Sequence, residues 1–113
     1  MIICKEMELF RKALDERGVK WHDASDGISN DLKKKSGLHF DMWMCRTHFS
    51  IGDSKISVIN GAGSYGGFMH DEESNAGLLE MMCGRINHGE PEGNLTAKEA
   101  IKMLEDAYGK EWN

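Results

Sequence analysis

The chain has 113 residues and a net charge of −5, with 40% apolar and 29% charged residues. That length fits one domain, 1–113, with enough interior for a single core without disulfides or metal. The acidic balance argues against a general nucleic-acid binder, which needs a basic surface to displace counterions from phosphates, and no apolar run approaches the roughly 20 residues that span a bilayer.

The N-terminus places Glu6 and Glu8 where a signal peptide would carry a basic segment and then a long apolar one. Cys4, Cys45 and Cys83 are odd in number and widely spaced, so they do not read as a disulfide framework. The expected compartment is a reducing cytoplasm.

Ile3, Met7, Phe10 and Leu14 recur at helical spacing and predict a first amphipathic helix that stops at Gly18. Val19 to His22 alternates in polarity and predicts a short strand. Residues 23 to 38 are polar, with Lys33, Lys34 and Lys35 as a solvated basic run, and read as a loop with one helical turn near Asp31 to Lys35.

The clearest feature is a β-hairpin from Met42 to Asn60. Trp43, Cys45, Thr47, Phe49 and Ile51 share one parity and hence one face. A two-residue loop at Asp53-Ser54 would pair Ile51 with Ile56 and Phe49 with Val58, all on the apolar face. A lone hairpin is marginal in water, so the Val19 to His22 strand is the candidate third strand.

A glycine-rich loop follows, Gly61 to Gly67. Leu78, Leu79, Met82 and Ile86 then suggest a second helix, widened by Met81 and Cys83, and Gly89 to Asn94 reads as a turn. Thr96 and Glu99 form a capping box ahead of a third stripe, Ala100, Ile101, Leu104, Ala107 and Tyr108, stopped by Gly109. The expected fold is therefore α+β: a small antiparallel sheet, built from the central hairpin plus a short strand, packed with about three helices.

Gly61-Ala62-Gly63-Ser64-Tyr65-Gly66 matches the letters of a dinucleotide fingerprint, but the glycines do not open a helix and the preceding strand belongs to a hairpin. What survives is an anion-cradling loop, with backbone amides for a phosphate, Ser64 for a hydroxyl and Tyr65 for a stacking face. Cys45 and His48 have a metal-like spacing, but positions three apart on a strand point to opposite faces. Cys45 then reads as a buried thiol, and Arg46 and His48 as a polar pair on the other face, suited to an anion. Neither His22-Asp23 nor His70-Asp71 is a ready acid/base pair, because adjacent strand residues diverge. No ligand spacing marks a metal site, and no cofactor is implied. The eight methionines fill the core or form an adaptable contact surface, which makes homodimer formation a candidate property.

Ser57-Val58-Ile59-Asn60-Gly61, Tyr65-Gly66-Gly67, Gly77-Leu78-Leu79-Glu80 and Gly89-Glu90-Pro91-Glu92-Gly93 have a cadence that resembles small accessory proteins of phages and prophages. The resemblance covers about half the chain, carries over no catalytic residue and names no single family. It implies a non-enzymatic protein that counters a host defence in the bacterial cytoplasm. Such a protein sequesters a nucleotide-like signal or occupies a host protein.

The expectation is thus a non-enzymatic binder of a small anionic ligand. Its candidate binding residues are Arg46, His48, Asn60, Gly61, Gly63, Ser64, Tyr65 and Arg85. The alternative is an inhibitor that binds a host protein through Trp43, Met44, Phe68 and Met69, since contact hot spots favour large side chains. A third hypothesis, a small enzyme using His48 or Cys45, lacks an orienting group.

Overall fold

The structure, a computed structural model, describes residues 5–25, 44–61 and 77–112. Helix α1 (Lys5–Glu16) leads into strand β1 (Trp21–Asp23), and β2 (Met44–Ile51) and β3 (Ser54–Gly61) form the hairpin. Strand β4 (Leu79–Met82) and β5 (Glu92–Leu95) follow, then helix α2 (Ala97–Tyr108) and a short 3-10 turn, Gly109–Trp112. The five strands make one antiparallel meander in the order β1-β2-β3-β4-β5. None of the described helices is long and apolar enough to cross a membrane.

The helices cover one face of the sheet. Met7, Phe10, Arg11 and Leu14 of α1 are buried, as are Ala97, Ala100, Ile101, Leu104 and Tyr108 of α2. They pack on Cys45, Thr47, Phe49 and Ile51 of β2, Ile56 and Val58 of β3, and Leu79 and Met81 of β4. The Phe10 and Phe49 rings meet at 5.8 Å. The helices run side by side in the same direction. Glu6 Oε1 of α1 accepts from the Ala97 amide at the start of α2 (2.8 Å), and Arg17 pairs with Glu105 near the other end. The expected capping box is present, Thr96 Oγ1 accepting from the Glu99 amide at 3.2 Å and Glu99 Oε1 from the Thr96 amide at 3.0 Å.

Three expectations need correction. The stretch read as the second helix is strand β4, so the described helices are two. Leu79, Met81 and Cys83 are all buried, a period of two that outranks the weaker helical spacing of Leu78, Leu79, Met82 and Ile86. The turn expected from Gly89 to Asn94 yields to β5, which pairs with β4 across a register shift between Leu79 and Met81. The hairpin closes one position earlier than expected, with Gly52-Asp53 as its loop. Ile51 faces Ser54 and Phe49 faces Ile56. Gly52 has φ 58°, and a positive φ at the first loop position alone is the turn that glycine favours there. The pairing therefore moves by two residues, which leaves every side chain on its expected face.

A polar knot ties α1 to the sheet. Arg11 is nearly fully buried and donates from Nε to Thr47 Oγ1 (2.7 Å) and from Nη2 to the Arg46 carbonyl (3.2 Å) and Cys45 Sγ (3.5 Å). Its guanidinium lies 3.3 Å from Asp23 Oδ1 and 4.6 Å over the Trp21 ring. Partial burial works against the Asp23 charge, but hydrogen bonds from Ser25 and the Arg11 cation outweigh it and hold the carboxyl below its ordinary value.

Candidate functional site

The face of the sheet opposite the two described helices carries the side chains of opposite parity. Cross-strand register places them in rows. His22 faces His48, His48 faces Ser57, and Ser57 faces Met82, which makes one row across four strands. The next row toward the hairpin tip contains the pair Ser50 and Lys55. Lys20 and Gly84 continue that row on either side, one step beyond Trp21 and two beyond Met82.

These two rows floor a groove of about 950 Å³ at the hairpin-tip end. Its lining also takes in Gly18 and Val19 of the α1–β1 connection, Gly84 and Gly89 of the β4–β5 turn, and Phe49, Ile51, Ile56, Cys83 and Trp112 from the core side. The β4–β5 turn holds three consecutive left-handed residues, Asn87 (φ 51°), His88 (φ 55°) and Gly89 (φ 84°). Backbone held this way by non-glycine residues is costly and clusters at functional sites.

The groove is electrostatically one-sided. Lys20, Lys55, His22 and His48 line it, Ser50 and Ser57 add hydroxyls, and no acidic side chain is among the described residues that line it. In a chain of net charge −5 that is a local reversal of sign. The His22 and His48 rings meet edge to face with centroids 5.5 Å apart. Burial, followed by the charges of Arg46 and His22, holds the His48 imidazole below its ordinary pKa.

That shift has a measurable consequence. A histidine whose folded pKa lies below its unfolded value, about 6.5, takes up protons more readily when unfolded. Its contribution is intact above the unfolded pKa and is lost as pH falls toward the folded one. The melting temperature of the wild type is expected to rise across the window just below pH 6.5, and His48→Gln is expected to flatten that part of the profile. An unchanged profile in the variant would remove His48 as the source.

Among the residues named from sequence, Arg46 and His48 share the face opposite the described helices, half-buried on β2. Cys45 is fully buried on the other face, so it does not pair with His48. Asn60 is also fully buried on the helix-covered face, opposite Cys45, where its Nδ2 donates to the Leu78 carbonyl at 2.9 Å. It cannot share a ligand with His48, because it belongs to the parity of the core. Gly61 is the last residue of β3, at the end away from the groove. Gly63, Ser64 and Tyr65 lie outside the described residues, as do Trp43, Phe68 and Met69. Arg85 follows β4 but stacks 4.7 Å over Tyr108 and does not line the groove.

Sequence reasoning missed Lys20, His22, Lys55 and Trp112. The parity of Lys55 with Ser57 was readable within the hairpin. Placing His22 beside His48 required the β1–β2 register, which a connection of about 20 residues does not fix. Among the described residues no group of three or more metal-ligating side chains comes together. Comparison with protein-family models, with curated proteins and with solved structures gives no match.

Proposed function

We propose that this protein binds a small anionic ligand in the groove at the hairpin tip. The observation that carries the reading is the two-row floor, which gathers Lys20, Lys55, His22 and His48 with two serine hydroxyls and no acid among the described lining residues. Lysine ammonium groups attract the charge, and imidazole N–H and hydroxyl groups give it direction. A volume of about 950 Å³ exceeds what a bare oxyanion needs and lies at the upper end of the roughly 300–1,000 Å³ of small-molecule pockets. The ligand is therefore a phosphate-bearing molecule on the scale of a nucleotide. In the setting that the phage-protein resemblance implies, it is a nucleotide signal of host defence.

A thermal-shift panel of phosphate, pyrophosphate, sulfate and linear and cyclic nucleotides tests this. A ligand present at 100 times its dissociation constant adds about 2.7 kcal/mol, a melting shift on the order of 10 °C for a domain of this size. A flat response across the panel at millimolar ligand would sink the proposal.

A further inference from the structure

We propose that the His22–His48 pair is an acid–base couple that cleaves the 3′,5′-phosphodiester bond of a short ribonucleotide held in the groove. The inference rests on the anion-binding reading above and departs from the non-catalytic expectation drawn from sequence.

Two imidazoles face each other across adjacent strands, with ring centroids 5.5 Å apart, on the floor of an open groove. At that separation the two imidazoles can reach two different oxygens of one phosphate group, one as general base and the other as general acid. Lys20 and Lys55 belong to the neighbouring row, placed to offset the charge that builds on phosphorus. The couple needs one imidazole neutral and one protonated. His48 is the more shielded of the two and is held toward the neutral form, which suits it as the base. His22, on the exposed edge strand, is then the acid.

The chemistry closes without a cofactor. His48 takes the proton of the ribose 2′-hydroxyl. The 2′-oxygen forms a bond to phosphorus, and the bond from phosphorus to the 5′-oxygen breaks, leaving its electron pair on that oxygen. His22 delivers a proton to it. The products are a 2′,3′-cyclic phosphate and a free 5′-hydroxyl, and the exchanged protons return through solvent. The substrate is short on two grounds. The groove holds about 950 Å³, and a chain of net charge −5 repels a long polyanion.

The full set of 3′,5′-linked ribodinucleotides, with their 2′-deoxy counterparts, gives the test, read by chromatography and mass spectrometry. The wild type is expected to convert at least one ribodinucleotide to the cyclic phosphate and to leave its deoxy counterpart bound but uncut. His22→Gln and His48→Gln are each expected to slow cleavage by at least about a hundredfold, the scale of one positioned acid or base. Affinity for the deoxy dinucleotide should change far less, and His48→Gln should lose the acid limb of the pH–rate profile. Cleavage that survives in the double variant, or that extends to deoxy dinucleotides, would overturn the assignment. If deoxy dinucleotides bind while every ribodinucleotide stays intact, the catalytic inference falls and the anion-binding reading stands. If neither dinucleotides nor simple anions bind, both fall.

Discussion

Replacing Arg11 with alanine is expected to destabilise the protein by about 3 kcal/mol, the scale of emptying a packed site and leaving a buried polar group without its donor. For a domain near this size the melting temperature should then fall by on the order of 10 °C. The reason lies in how many groups one guanidinium satisfies. It supplies hydrogen bonds to Thr47 Oγ1 and the Arg46 carbonyl, sits 3.3 Å from Asp23 and covers the Trp21 ring. Removing it leaves the buried Thr47 hydroxyl with Met7 Sδ (3.2 Å) as a weak acceptor and no donor from α1. Arg11→Lys keeps the charge but loses the planar fork, so it should recover only part of the loss. Arg11→Met keeps apolar volume without the charge, and it separates packing from polar contributions. Chemical denaturation of the three variants measures this, and an Arg11→Ala variant as stable as the wild type would show that the knot contributes nothing net.

Reversing both lysines of the groove, Lys20→Glu with Lys55→Glu, is expected to weaken binding of pyrophosphate or any ligand found in the panel by at least a hundredfold. Two unit charges about 4 Å apart in water interact by about 1 kcal/mol, so exchanging attraction for repulsion at two positions is worth roughly 4 kcal/mol before screening. Added salt should weaken the wild type as the Debye length shrinks from about 10 Å at 0.1 M to about 3 Å at 1 M. The control is Lys98→Glu with Lys102→Glu, which makes the same change in net charge on exposed positions of α2, away from the groove. Titration calorimetry of both double variants separates a local effect from a general one. Equal losses in the two would mean that net charge, not the groove, governs binding.

Much of the scaffold was legible in the sequence because it rests on short-range signals. The stripes of α1 and α2, the Thr96–Glu99 box and the alternation through β2 all repeat within a few residues. The hairpin register failed by two residues because Gly52-Asp53 and Asp53-Ser54 both read as turns, and only the left-handed φ of Gly52 decides between them. Strand β4 failed because Leu79, Met81 and Cys83 overlap a helical spacing over a stretch too short to separate the two periods. The candidate site was half legible. His48 and Arg46 follow from parity within one strand, whereas the His22–His48 contact and the convergence of Lys20 with Lys55 depend on a pairing between elements far apart in sequence. Asn60 misled because its place beside a glycine-rich stretch suggested a ligand contact, while its parity belongs to the core.

The meander and the side-by-side helices set an order of events. Each strand pairs with the one before it, so the sheet can zip through neighbouring segments, beginning at the two-residue turn of the hairpin. The helix layer instead joins Glu6 to Ala97 and Arg17 to Glu105, and that closure spans most of the chain. Loop entropy makes contacts of such long range slow to form, so docking of α2 is expected to be a late step. Substitutions in its buried stripe, at Ile101 or Leu104, then act on how fast the protein opens and little on how fast it folds. The lifetime of the native state is then expected to be set at the seam between the two helices, and its formation at the hairpin.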